Sequence, residues 1–157
     1  SQGANYFATS SWDYAYLKIG GLACTLSLVL FMVFLSKSKK LKALGKATVV
    51  PSIFNINEPV VFGAIVFNPI LMVPMWINAV VAPVLAWLLT VAIPFGKIPD
   101  ILFQLWYIPY PITTWLATGG SIPSVIVMLI IFVVTGAIWY PFFKVYDNQC
   151  VKEETEE

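Results

Sequence analysis

Hydrophobic positions run along this chain in long blocks, not in the alternating or every-third-or-fourth pattern of half-buried elements. Tyr16 to Leu35 is one such block, and about 20 apolar residues suffice for a helix to cross the hydrocarbon core. Gly20, Gly21, Ala23, Thr25 and Ser27 lie along it, small residues that let one helix pack closely on another. The pattern predicts a first span over about 16–35 and a second over about 69–93, opened by Asn68-Pro69 and kinked at Pro74 and Pro83. A third is predicted over about 122–143. Residues 1–14 mix small polar residues with Tyr6, Phe7, Trp12 and Tyr14, as suits an interfacial lead-in. Residues 144–157 form a polar tail around Glu153, Glu154, Glu156 and Glu157, giving an all-α integral membrane domain over 15–143.

Two further apolar stretches are hostile to a straight helix. The first, about 47–67, contains Pro51, Asn55, Asn57, Glu58, Pro59 and Gly63, and the second, about 103–120, contains Pro109, Pro111, Thr113, Thr114, Gly119 and Gly120. Irregular backbone at membrane depth survives where it is buried in protein or lines a watery cavity. Both stretches therefore read as re-entrant hairpins, entering from opposite sides of the membrane. The turn-rich 94–100 segment, with Lys97 and Asp100, reads as an outer loop. Lys37, Lys39, Lys40, Lys42 and Lys46 follow the first span and place its end, and the C-terminal tail, in the cytoplasm.

Composition agrees. The chain has 157 residues, 59% hydrophobic, and its 11% charged content lies far below the roughly 25% of soluble domains. A net charge of +1 without arginine or a basic face excludes nucleic acid as a partner. There is no histidine and no Cys or acidic cluster at ligand spacing, so neither a metal nor another cofactor is expected. Cys24 lies in an apolar span and Cys150 in the charged tail, which argues against a disulfide and makes Cys150 an exposed thiol. The chain opens Ser1-Gln2-Gly3 and reads as a piece of a longer protein whose N-terminal remainder precedes it.

The chemistry concentrates at Glu58, the one ionisable charge between Ala47 and Gly96. A carboxylate at the centre of a membrane helix costs about 2.5–3.5 kcal/mol, so such a group either faces a polar cavity and serves a ligand or caps a broken helix. Asn55 and Asn57 beside it either contact that ligand or cap broken half-helices. In the second hairpin Trp106 and Tyr110 are candidate stacking platforms for the apolar face of a ligand, or members of an interfacial aromatic belt. Thr113 and Thr114 either donate hydroxyls to the ligand or bond back to helix carbonyls.

Ile53-Phe-Asn-Ile-Asn-Glu-Pro-Val-Val-Phe-Gly63 followed by Asn68-Pro69 resembles the signature of the enzyme IIC sugar permeases of the bacterial phosphoenolpyruvate-dependent phosphotransferase system, lactose/cellobiose/diacetylchitobiose branch. Ile19-Gly20-Gly21, the run Ser36 to Lys46, Leu116-Ala-Thr-Gly-Gly120 and Tyr140-Pro-Phe-Phe-Lys-Val-Tyr146 support the resemblance, which covers the C-terminal part of such a permease. It implies the sugar-binding half of a homodimeric transporter, working in the bacterial cell membrane on a β-linked disaccharide: cellobiose, chitobiose or lactose. A phosphorylated IIB protein, the phosphocysteine carrier, would then phosphorylate the sugar's 6-hydroxyl. Glu58 and Asn57 would lie at the sugar, with Glu58 accepting a hydroxyl hydrogen bond and helping to deprotonate it. Tyr110 stands where the family often has tryptophan. Cys150 lacks the loop context of a phosphocysteine, so the phosphoryl donor belongs to the partner.

Two other functional classes remain open on the sequence. A proton-coupled secondary sugar transporter would use Glu58 as its proton site, and a non-transporting membrane fragment would bind nothing alone. Dependence of uptake on phosphoenolpyruvate and IIB separates the first reading from the second.

Overall fold

A computed structural model describes residues 13–99, 101, 105 and 107–156. Among these residues all regular structure is helical. The chain enters through a π-helical turn, Asp13–Leu17, and a short 3-10 turn, Leu22–Cys24. The α-helices follow as α1 (Leu26–Phe34), α2 (Lys39–Ile53), α3 (Glu58–Val60), α4 (Pro69–Trp87), α5 (Ile112–Ala117) and α6 (Ile122–Glu156). Five π-helical residues extend α3 (Val61–Ile65) and another five extend α4 (Leu88–Ala92).

Pro69–Ala92, 24 residues, and Ile122–Glu156, 35 residues, are each long and apolar enough to cross a membrane. A third span exists if Ala15–Cys24 and Leu26–Phe34, which meet at a bend of 55°, are taken together. The first apolar block is thus broken, not one straight helix. Its backbone turns through positive φ at Gly20 (76°) and Gly21 (108°), then at Ala23 (61°) and Cys24 (54°). The polar groups released by the break find partners inside the protein, as buried backbone groups must. Thr25 Oγ1 donates to the Gly20 carbonyl at 2.9 Å, and Trp139 Nε1 donates to the Ala23 carbonyl at 3.2 Å.

Two buried clusters hold the helices together. Leu28, Met32, Leu41, Leu71 and Trp139 fill the space where α1, α2, α4 and α6 meet. Tyr16, Ile19, Cys24, Ala86, Met128 and Ile131 pack the entry segment onto α4 and α6. Burial of apolar area stabilises such clusters by about 25 cal/mol per Å² against water, and by less against lipid, where tight packing and hydrogen bonds carry more of the load. Asn78, fully buried in α4, donates to the Thr135 carbonyl of α6 at 3.2 Å.

The lysine run is helical from Lys39 onward, and Ser38 caps it by accepting the Leu41 N–H at 3.2 Å. Nor does the C-terminal segment hang free, because α6 continues unbroken past Phe143 to Glu156. Its Asp147 accepts from Ser36 Oγ at 2.5 Å and from the Lys37 and Ser38 N–H groups at 3.0 and 3.1 Å. Glu154 accepts from Ser38 Oγ at 2.6 Å and from the Lys39 and Lys40 N–H groups at 3.1 and 2.9 Å. Both carboxylates thereby meet the unpaired amides and positive dipole end of α2. Cys150 is buried in the first cluster rather than exposed, because this packing turns its face of α6 inward.

Candidate functional site

The break after α2 builds the site. The helix passes through Pro51 and stops at Ile53, and Asn55 takes φ of 63°, a left-handed conformation that asparagine tolerates better than most residues. The Asn55 carboxamide then joins two segments distant in sequence. Its Oδ1 accepts the Gly20 N–H at 3.1 Å, and its Nδ2 donates to the Ile108 carbonyl at 2.8 Å. Asn57 is 8% exposed and donates through Nδ2 to the Leu22 carbonyl at 3.2 Å. Asn57 precedes α3 without capping it through its side chain. Both asparagines brace the break: Asn55 also closes the end of α2 in the left-handed position, where its N–H bonds the Ser52 carbonyl at 3.1 Å and the Ile56 N–H bonds the Pro51 carbonyl at 3.0 Å, whereas the Asn57 side chain caps no helix.

Glu58 opens α3 and is exposed. It lines a cavity of about 400 Å³ together with Asn55, Asn57, Tyr110, Lys18, Gly21, Leu22 and Thr113. That size falls in the range of about 300–1,000 Å³ typical of small-molecule sites. Tyr110 is half-buried, and its hydroxyl accepts the Lys18 N–H at 3.3 Å. Thr114 is withdrawn from the cavity by donating to the Ala15 carbonyl at 2.6 Å. Glu58, Asn57, Asn55 and Tyr110 are therefore brought together, whereas Trp106 lies outside the described residues.

The cavity presents an acceptor-only carboxylate, a lysine and carboxamide, phenol and hydroxyl groups within an apolar frame. Such a mixture suits a neutral ligand rich in hydroxyls, with charge-assisted hydrogen bonds at the carboxylate. Sequence reasoning passed over Lys18 and Gly21 as site residues. Lys18 carried a signal, being the one charge between Asp13 and Lys37 and sitting inside an apolar block. Gly21 read only as a small packing residue.

The family model described as "Phosphotransferase system, EIIC" matches residues 2–83, just over half of the chain. The chain belongs to this EIIC family. Among EIIC relatives, it is 40% identical over 142 residues to the cellobiose-specific EIIC component of Geobacillus stearothermophilus, covering 88% of this chain and 31% of that one. It is 35% identical over 158 residues to the lactose-specific EIICB component of Streptococcus mutans, covering 99% of this chain and 27% of that one. The crystal structure of ChbC, the IIC component of an N,N'-diacetylchitobiose-specific phosphotransferase system, superimposes with a TM-score of 0.90 at 34% identity. That match covers 96% of this chain and 35% of ChbC. The EIIC chain thus spans about a third or less of the length of the proteins it matches.

Proposed function

We propose that this chain forms the sugar-binding half of a phosphotransferase-system permease. It carries a β-linked disaccharide (cellobiose, chitobiose or lactose) across the bacterial plasma membrane for phosphorylation by a IIB partner. The observation that carries the reading is the convergence of Glu58, Asn55, Asn57 and Tyr110 on one polar cavity. The sugars named for the cellobiose, lactose and diacetylchitobiose relatives support the substrate class, and the name EIICB, which joins C and B components, supports the partner.

In this reading the segments about 47–67 and 103–120 are re-entrant hairpins that meet at the site, and the helical end of α6 is cytoplasmic. The N-terminal remainder of the permease completes the sugar site and supplies most of the homodimer contact. Glu58 accepts a hydrogen bond from the sugar hydroxyl that becomes phosphorylated, and it helps draw off the proton as the phosphoryl group arrives. Its carboxylate is suited to this because it faces the cavity and makes no hydrogen bond to another described residue.

Equilibrium binding of radiolabelled cellobiose, chitobiose and lactose to the full-length permease tests the reading. Glu58→Gln is expected to abolish saturable binding of one sugar, or to preserve binding and stop phosphorylation by IIB. Unchanged binding together with unchanged phosphorylation would sink the assignment. Uptake driven by a proton gradient without phosphoenolpyruvate would instead favour a proton-coupled carrier.

A further inference from the structure

We infer that Thr113 is a specificity-determining contact whose hydroxyl hydrogen-bonds one hydroxyl of the bound disaccharide; this rests on the sugar-site reading above and deepens it. Every other described threonine donates its hydroxyl to a main-chain carbonyl. Thr114 binds the Ala15 carbonyl at 2.6 Å, Thr118 the Thr114 carbonyl at 2.6 Å, and Thr90 the Ala86 carbonyl at 2.6 Å. Thr113 does not, although it is 1% exposed and its Oγ1 is buried without any hydrogen-bond partner.

Local geometry explains why the usual helical outlet is closed. The carbonyl four residues back belongs to Pro109, and it already accepts the Ile112 N–H at 3.0 Å and the Thr113 N–H at 3.4 Å. Buried hydroxyls are nearly always paired, so an orphan in a site calls for an explanation. Thr113 lines the same cavity as Glu58, Asn57 and Lys18. Rotation about the single Cα–Cβ bond exchanges its methyl and hydroxyl positions and carries Oγ1 toward the cavity. A sugar hydroxyl both donates and accepts, which matches a threonine hydroxyl. Glu58 accepts only and lysine donates only, so neither offers the same complement.

A partner of this kind discriminates more than it tightens. A site built to hydrogen-bond a particular hydroxyl rejects the analogue that lacks it, because its own polar group is then left unpaired.

The test uses the full-length permease and whichever of radiolabelled cellobiose, chitobiose or lactose it binds. Thr113→Val, nearly isosteric and lacking the hydroxyl, is expected to weaken binding about threefold to tenfold, with Thr113→Ser restoring most of it. Against a series of singly deoxygenated sugars, the unmodified protein should lose affinity for one member that the valine variant binds no worse than the parent sugar. Glu58→Gln serves as the reference for the site. Valine binding equal to the unmodified protein, with Glu58→Gln defective, overturns the Thr113 inference and leaves the sugar site standing. If Glu58→Gln is also without effect on binding or phosphorylation, the site reading itself is overturned. A serine variant as weak as valine, or a valine variant that still loses affinity for every deoxy sugar, marks Thr113 as a packing residue and overturns the inference.

Discussion

Gly21 and Asn57 fit together as a groove and its filler: a Cβ on Gly21 would collide with the Asn57 carboxamide. Gly21 also holds φ of 108°, a conformation that side chains rarely adopt. The glycine therefore serves both the break in the first span and the seat of Asn57, whose Nδ2 bonds the adjacent Leu22 carbonyl at 3.2 Å. Gly21→Ala should displace Asn57 from the cavity wall and weaken sugar binding about tenfold or more, since misplacing a contact by an ångström loses most of its hydrogen-bond energy. Isothermal titration of the folded variant checks this, and affinity within twofold of the parent would refute it.

Asn55 makes a sharper case because its two bonds run in opposite senses. It accepts from Gly20 through Oδ1 and donates to Ile108 through Nδ2. Asn55→Asp keeps the first bond and sets an oxygen against the Ile108 carbonyl, whereas Asn55→Ala removes both. The aspartate variant is therefore expected to be the less stable of the two, by about 1–3 kcal/mol relative to the parent. Thermal unfolding in detergent ranks them; an aspartate variant as stable as the parent would show that the bridge to Ile108 carries no energy.

Much of this was readable in the sequence, for physical reasons that differ by residue. Glu58 was legible because an isolated carboxylate in apolar sequence has few roles, and Asn55 and Asn57 because asparagines between prolines signal a broken helix. The two helices long and apolar enough to cross a membrane, Pro69–Ala92 and Ile122–Glu156, were legible from length and hydropathy alone. The break at Gly20 and Gly21 was hidden because glycines in an apolar block also mark close helix packing. The unpaired hydroxyl of Thr113 was hidden too, since it depends on the Pro109 carbonyl being already engaged. The link from Asp147 to Ser36 crosses 111 residues and has no local pattern to announce it.

That link predicts a stability effect at the far end of α6. Asp147 is 4% exposed and accepts from one hydroxyl and two backbone N–H groups near the start of α2. Asp147→Ala leaves the buried Ser38 N–H unpaired and the Ser36 hydroxyl with only the Ser38 carbonyl, at a cost of about 1–3 kcal/mol. Because α2 leads directly to Asn55 and Glu58, sugar affinity should fall along with the unfolding temperature. A lowered unfolding temperature with unaltered affinity would separate the clamp from the site.

Sidedness offers an independent check on the hairpin reading. In a cysteine-free background, Lys152→Cys at the exposed end of α6 should react only with a reagent supplied from the cytoplasm. Phe95→Cys, at a residue 48% exposed in the turn after α4, should react only from outside. Leu116→Cys, 41% exposed in α5, should on that reading share the outer accessibility of position 95 when the site is open outward. Labelling of positions 95 and 152 from the same side would require a different number of crossings.

Glu154, the second carboxylate at the start of α2, adds a pH dependence. The Ser38 hydroxyl, followed by the Lys40 and Lys39 N–H groups, holds the Glu154 carboxyl below the usual carboxylate range. The folded protein therefore binds a proton at Glu154 less readily than the unfolded chain. The resulting stabilisation is fully present above the ordinary carboxylate pKa of about 4.3. It is lost as pH falls from there through the depressed value. Glu154→Gln removes that charge, so the unfolding-temperature gap between parent and variant should be widest near neutral pH and close in acid. Since Glu154 is partly exposed, the gap should also shrink at high salt. Unfolding temperatures measured from pH 7 down to about 3 decide the matter, and a gap that widened in acid would reverse the sign and refute an ionised Glu154 at the start of α2.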